Sequence, residues 1–419
     1  MSANSTGADL AELQRGVVDL VSVEELRTRL AEGRPLRVKA GFDPTRPDLH
    51  LGHVVLMNKL RQFQEFGHTV VFIVGDFTAQ VGDPTGRNKS RPPVSRDEVM
   101  AGARTYAEQA FKVLDPARTE VRHNSEWLDK LSSQEFVKLA AKRTVDRTME
   151  RRDFRERWDQ NKPIYLHEFL YPLLQGYDSV AIDADIELGG TDQLFNLVVG
   201  RDLMSHYAKR PQMVMTTPLL EGIDARWIDG QIVGEKMSKS ADNYVGVTEA
   251  PAEMFRKLLG VNDGVVWRFF DLLSAERGDA IAELKRATEQ NELPAREAQR
   301  RFAREMLVRF HGVDAAKDAE SAYELKRSGG FPDDAPAFEL AADPARGSLW
   351  IAKALSSAGL APSTNAAKNF VKNGAVQVDG ERVRDEQHQL LPGEHRIVVG
   401  GKDKHYACVR VVAGSVPNR

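Results

Sequence analysis

Thr69 to Val74 is an unbroken apolar run of strand length, and such runs belong to strands buried on both faces. Ahead of it Leu36, Val38, Ala40 and Phe42 alternate, as one face of a strand does. Between them lie a Pro-rich polar turn (Asp43, Pro44, Thr45, Arg46, Pro47) and the helical spacing of Leu56, Leu60, Phe63 and Phe66, with Gly67 as a natural stop. A strand, loop, helix and strand in so short a stretch imply a right-handed parallel unit. Val180 to Leu188 and Gln212 to Thr217 are expected to add strands to that sheet. A mostly helical insertion, about 125–177, separates the halves.

Past Ala250 the strand patterns stop, and Pro251 to Lys326 reads as amphipathic helices. Segment 328–347 carries Gly329, Gly330, Pro332, Pro336, Pro344 and Gly347, which is linker composition. Two short helical patterns follow, at about Leu349 to Ser357 and Ser363 to Asn373, then β-rich pieces at Ala375 to Val378 and His395 to Val399.

With 42% hydrophobic and 28% charged residues, composition excludes collagen-like, low-complexity and disulfide-rich classes. The single cysteine, Cys408, can form no internal disulfide and no thiolate cage, so no zinc is expected. No apolar run reaches the roughly 18 residues of a membrane span, and the first twenty or so residues show no signal-peptide pattern. A cytoplasmic protein without membrane contact is the expectation. The net charge of −3 argues against wholesale nucleic-acid binding, yet it hides local excess. Gly347 to Val412 holds nine Lys/Arg against six Asp/Glu, and Lys142 to Arg157 seven against four. Alone, each run reads first as a solvated helix face.

Chemistry concentrates in a few motifs. His50-Leu51-Gly52-His53 stands where the first strand passes into its helix, the place where parallel sheets bind nucleotides. Gly52 lets a flat base or a phosphate approach the backbone, and the imidazoles can donate to phosphate oxygens. Lys236-Met237-Ser238-Lys239-Ser240 lies in a polar loop after the last strand, where two lysines can clamp a leaving pyrophosphate. Tyr171, Gln175 and Asp178 share one face of one helix. Gly82-Asp83-Pro84-Thr85-Gly86 and Gly189-Gly190-Thr191-Asp192-Gln193 each follow a strand.

The His-x-Gly-His and Lys-Met-Ser-Lys-Ser pair, in that order, resembles the two signatures of class I aminoacyl-tRNA synthetases. With the middle motifs, the chain resembles the bacterial tyrosyl-tRNA synthetases over nearly its whole length. The resemblance implies an α/β fold in four parts. A Rossmann-like parallel-sheet catalytic domain spans 1–250, with the helical insertion at about 125–177 and the lysine loop at 236–240. An α-helical anticodon-binding domain (251–327), a linker (328–347) and a small α+β S-four-type RNA-binding domain (348–412) follow.

It also implies a reaction. L-tyrosine is activated with ATP, brought with Mg²⁺, to tyrosyl-adenylate, and the tyrosyl group passes to the terminal adenosine of tRNA(Tyr). No bound organic cofactor is implied. His50, His53, Lys236 and Lys239, helped by Arg87 and Arg91, would stabilise the charge developing on the phosphates. Tyr171, Gln175 and Asp83 would hold the substrate ammonium, Asp178 would accept the phenolic hydroxyl, and Gln193 would lie nearby. Asp43 and Thr45 would line the same pocket, and Gly52 and Asp192 would serve ATP. The family's homodimer, joined through the insertion, is expected as well.

Departures sit at the substrate's far end. Many bacterial relatives carry a tyrosine four residues before the Asp of the Gly-Phe-Asp-Pro-Thr segment, touching the hydroxyl; here it is Lys39, followed by Ala40. Lys39 either donates to the phenol oxygen or points to solvent, since alternation does not fix which face of the strand meets the pocket. Arg87 stands where the family has a lysine, keeping the charge but not the geometry. The tryptophan enzyme shares fold and motifs, but Asp178 and the basic tail argue against it. A small nucleotidylyltransferase would lack the lysine loop, and a synthetase relative that only binds RNA has no need of Lys236 and Lys239.

Overall fold

The computed structural model describes residues 10–44, 48–85, 96–328, 331, 335–400 and 405–413. It divides into two compact units, Met1–Ala316 and Lys317–Arg419.

The first unit is built on a six-stranded sheet. Its strands are β1 (Leu20–Val21), β2 (Arg37–Phe42), β3 (Thr69–Val74), β4 (Thr119–His123), β5 (Ile186–Gly190) and β6 (Met213–Thr217), in the order β1-β6-β5-β2-β3-β4. All neighbours run parallel except β1 against β6. Val70 to Val74 are almost wholly buried, as their continuous apolar run requires. The connection from β2 to β3 is the helix α1 (Leu51–Glu65), with Gly67 at φ +90 releasing the chain into β3.

One expectation for this unit needs correction, and one strand was not expected at all. Val180 to Leu188 is not one strand: Val180–Ile182 ends the helix α2 (Leu166–Ile182), Asp183 adopts a left-handed cap, and β5 begins only at Ile186. Apolar residues on a helix face and in a buried strand look alike when a short turn joins them. Edge strand β4 went unread because its five residues are all half-buried and three are charged or basic (Glu120, Arg122, His123), so no apolar run marks it.

Helix α2 crosses α3 (Leu194–His206) at glycines: a Cβ on Gly176 would stand 2.9 Å from Gly200 Cα. Backbone meets backbone there, and polar side chains flanking the crossing are brought together. Beyond β6, Arg226–Ile228 and Gln231–Val233 form a hairpin just before the lysine loop. Helices Pro251–Leu259, Val266–Leu273, Gly278–Glu289 and Ala295–His311 follow, within the span read as helical, and a last helix, Val313–Ser328, begins in this unit and ends in the second, two residues beyond that span.

In the second unit, helices Ile351–Ser357 and Thr364–Lys372 accompany a five-stranded sheet. A shared core of Ile351, Leu355, Val371, Ile397 and Val409 binds them together. Asp379 and Gly380, both at positive φ, turn Val376–Val378 back into Glu381–Val383. Segment 328–347 is not all linker, since Ala337–Ala341 pairs in parallel with His405–Val412 as an edge strand. Its Gly and Pro residues flank that strand and mask its alternation.

Candidate active site

A cavity of about 390 Å³ opens at the carboxyl ends of the parallel strands. Its walls include Asp43 after β2, Gly75 after β3, Asn124 after β4, Gly190 closing β5 and Thr217 closing β6. The order β5-β2-β3 places β2 where the sheet winds outward in both directions, the natural ligand crevice of such folds.

The histidine motif is first of all the capping box of α1. Gly52 N donates to His50 Nδ1 at 3.2 Å, and His50 N donates to His53 Nδ1 at 3.2 Å. Two imidazoles thus play the parts usually taken by Ser and Glu. Burial pushes His50 down to about 2, with the nearby charges of His53, Lys239 and Lys236 adding to it; burial likewise lowers His53 to about 4. Both rings are therefore neutral near pH 7. Because each Nδ1 accepts, each Nε2 carries the proton, and both rings present a neutral donor. Gly52 has no room for a side chain, as a Cβ would meet His50 Cε1 at 2.9 Å.

Helix α2 supplies one polar wall of the cavity. The Tyr171 hydroxyl donates to Asp43 Oδ2 at 2.9 Å, and Thr78 Oγ1 donates to Asp43 Oδ1 at 2.8 Å. Burial, then the charges of Asp43 and Asp83, raise the Tyr171 phenol well above its usual range, so it stays protonated. Asp83 accepts from Gln193 Nε2 at 2.8 Å and from Thr85 N at 2.9 Å. Gln175 lines the same wall. Carboxylates, amide oxygen and phenol oxygen make an acceptor-rich corner suited to a primary ammonium.

The far end is closed by Asp178, which is 3% exposed. Trp127 Nε1 donates to its Oδ1 at 2.8 Å, while Asn124 Nδ2 lies 3.4 Å from Oδ2. Burial raises its carboxyl to about 7, against the opposing pull of Lys39 and the Trp127 and Asn124 hydrogen bonds. A carboxylate kept this dry selects for a ligand that brings its own donor.

The lysine loop closes the opposite side. Lys236, Met237 and Ser238 line the cavity, and Lys236 Nζ stands 3.2 Å from Asp192 Oδ2. Lys239 sits just outside the wall, 3.4 Å from Asp48 and 6.0 Å from the Tyr244 ring centroid.

Of the residues expected at the site, His50, Gly52, His53, Asp43, Asp83, Tyr171, Gln175, Asp178, Asp192, Gln193 and Lys236 all line this cavity. Thr45, Arg87 and Arg91 lie outside the described residues. Lys39 does neither of the things expected of it. It reaches neither solvent nor the cavity wall; fully buried, its Nζ pairs with Glu187 Oε1 at 2.9 Å and donates to Gln175 O and Ser179 Oγ, both at 2.8 Å. A contact with the phenol oxygen is therefore withdrawn, because all three of its protons are committed elsewhere. Asn124, Trp127, Thr78 and Glu187 were missed. Glu187 had a legible signal, an acid amid the apolar residues of a buried strand, which must find a partner.

A parallel sheet with a histidine-capped helix on one side of its crevice and a lysine loop on the other defines a nucleotide-activating enzyme of the class I synthetase kind. Residues 31–325 match the family of class I tRNA synthetases (W and Y), and residues 349–395 match the S4 domain. The chain belongs to that synthetase family. The tyrosine–tRNA ligase of Oleidesulfovibrio alaskensis is 48% identical over 399 residues, covering 94% of this chain and 96% of its own. That of Thiobacillus denitrificans is 49% identical over 406 residues, with 96% and 99% covered. Among solved structures, a truncated mitochondrial tyrosyl-tRNA synthetase of Aspergillus nidulans shares the fold at TM-score 0.63 and 19% identity, covering 78% of this chain and all of that one. The Archaeoglobus fulgidus tyrosyl-tRNA synthetase complexed with L-tyrosine does so at 0.59 and 21%, covering 75% and 99%.

Proposed function

We infer that the chain is a tyrosine–tRNA ligase working in two steps. The tyrosine carboxylate, already a nucleophile at pH 7, attacks the ATP α-phosphorus in line, and pyrophosphate leaves. A ribose hydroxyl of the tRNA's terminal adenosine then displaces AMP from the tyrosyl carbonyl. The observation that carries the reading is the single helix face of α2. It presents Tyr171 and Gln175 at an acceptor-rich corner and Asp178 at a dry, closed end, one for each polar terminus of tyrosine.

Catalysis in this reading is positioning and charge stabilisation. The Nε2–H groups of His50 and His53 donate to phosphate oxygens, Lys236 and Lys239 meet the departing pyrophosphate, and Asp192 takes the ATP ribose. Among the described residues no three His, Cys, Asp or Glu side chains cluster as a metal site. In this reading, as the resemblance implies, Mg²⁺ would arrive on the nucleotide's phosphates, where it would offset their charge. Arg87 and Arg91 are assigned to the same step by the resemblance alone. Exposed Lys353, Lys372, Arg382 and Arg384 in the second unit suit a grip on folded RNA, and helices 251–327 suit the anticodon arm.

A homodimer joined through the insertion belongs to this reading. Val137, Val145, Trp158 and Leu166 each expose more than half their surface within one short stretch of chain. ATP–pyrophosphate exchange with each of the twenty amino acids tests the whole: exchange with tyrosine alone is expected, and exchange with tryptophan instead would overturn it.

A further inference from the structure

We propose that Glu187, paired with Lys39 at 2.9 Å, is the positioning residue that fixes which atom of the Gln175 amide faces the substrate ammonium. The proposal rests on the tyrosine reading above. A glutamine amide can present oxygen or nitrogen to a ligand, and only oxygen can accept from an ammonium. Something must decide between two nearly isosteric orientations.

Glu187 decides it by having no proton to give. Lys39 and Glu187 are register partners on β2 and β5, both fully buried directly behind the cavity wall. Glu187 Oε1 receives Lys39 Nζ at 2.9 Å and Gln175 Nε2 at 3.1 Å; Oε2 receives Ser179 Oγ at 3.1 Å and Gln212 Nε2. Lys39 in turn spends its three protons on Glu187, Ser179 Oγ and the Gln175 carbonyl. An ionised carboxylate accepts only, so the Gln175 NH₂ must face it and Gln175 Oε1 must face the other way. The site is shaped for this: a Cβ on Gly200 would stand 2.8 Å from Gln212 Nε2 and 3.1 Å from Glu187 Oε2.

A second anchor, of opposite kind, holds the other end of the chain of amides. Arg151 donates only; its guanidinium gives a proton to Asn196 Oδ1 at 3.1 Å, so Asn196 Nδ2 points to Gln175 Oε1 at 3.1 Å and Gln193 Oε1 at 2.9 Å. Gln193 Nε2 is thereby turned to Asp83. Between an acceptor-only and a donor-only terminus the three amides have one consistent orientation, which turns an oxygen of Gln175 away from Glu187 and leaves Asp43 and Asp83 as carboxylates held by their own donors, Tyr171 and Thr78 on one, Gln193 and Thr85 on the other. Replacing a buried ion pair by apolar residues seldom costs stability, which leaves this orienting duty as the reason to keep one here.

The test is Glu187→Gln, whose own amide can donate to Gln175 and allow it to flip. Dissociation constants are measured by equilibrium titration for two probes: tyrosine itself, and 3-(4-hydroxyphenyl)propanoate, which lacks the amino group. The native enzyme is expected to favour tyrosine strongly. In Glu187→Gln the affinity for tyrosine should fall by about ten- to a hundredfold while that for the propanoate stays within about twofold. Equal loss for both probes, or no loss for either, overturns the proposal. Should Lys39 left unpaired prevent folding, the double variant Lys39→Met/Glu187→Gln removes both charges and must show the same selective loss. If the native enzyme itself does not distinguish the two probes, the ammonium assignment of the site fails, separately from the role of Glu187.

Discussion

Lys236 Nζ rests 3.2 Å from the Asp192 carboxylate, so the first lysine of the loop is held at the cavity rim by the residue assigned to the ATP ribose. Its charge is therefore poised beside the nucleotide's place and is not spent on the amino acid. Lys236→Ala and Lys239→Ala are expected to slow tyrosyl-adenylate formation by about a hundredfold each, roughly 3 kcal/mol of transition-state stabilisation. Tyrosine dissociation constants should barely change. Rapid-quench single turnovers with separate equilibrium titrations distinguish the two, and a loss confined to tyrosine affinity would remove the loop from pyrophosphate release.

The histidines lead to a prediction about pH. With His50 at about 2 and His53 at about 4, neither ring changes charge between pH 5.5 and 8.5, the span of a practical assay. At saturating tyrosine and ATP, the first-step rate should show no limb attributable to an imidazole. His50→Ala and His53→Ala should each lower that rate without adding a limb, since what is lost is a neutral donor. A native profile that rises below pH 7 because a histidine gains a proton would contradict the tautomers inferred from the capping box.

Much of the site was legible because its chemistry is concentrated in uncommon residues at short, fixed spacings. His50-Leu51-Gly52-His53 is at once a helix cap and a donor pair, and Tyr171, Gln175 and Asp178 need only helical periodicity to share a face. The Lys39–Glu187 pair was not legible, since it depends on the register of β2 against β5, two strands distant in sequence. Trp127 and Asn124, which hold Asp178, follow the unread edge strand β4 and so had no strand end to mark them. The join at Asp183 was lost for a local reason, as one left-handed residue converts helix to strand approach with little change in apolar content.

The insertion carries the prediction about assembly. Trp158 is 64% exposed and Leu166 81%, large apolar side chains that a lone soluble subunit has little cause to display. Sedimentation at micromolar concentration is expected to give a dimer. Trp158→Glu with Leu166→Glu should shift it towards monomer while leaving circular dichroism unchanged. A native monomer would end the assignment of this face.

Asp178 links pH to both stability and substrate choice. Burial raises its carboxyl from 3.8 to about 7, although Lys39, Trp127 and Asn124 pull the other way. A raised folded value means that the native state holds a proton the unfolded chain has released. The stabilising contribution is thus fully present below about pH 3.8 and is lost as pH rises through 7. Asp178→Asn, which carries no charge at any pH, should gain on the native protein by a few kcal/mol as pH goes from 4 to 7, at about 1.4 kcal/mol per unit, and then hold its lead. Urea unfolding across that range measures it. Tyrosine binding should move in the opposite sense in the native enzyme, tightening as pH rises through 7, because the ionised carboxylate is the stronger acceptor for the phenol. Asp178→Asn should bind tyrosine with no such dependence and should lose most of its preference over phenylalanine, since no dry carboxylate is left unpaired by the smaller ligand. A native tyrosine affinity that is flat from pH 6 to 8, together with undiminished discrimination in Asp178→Asn, would place the phenol at some other wall of the cavity.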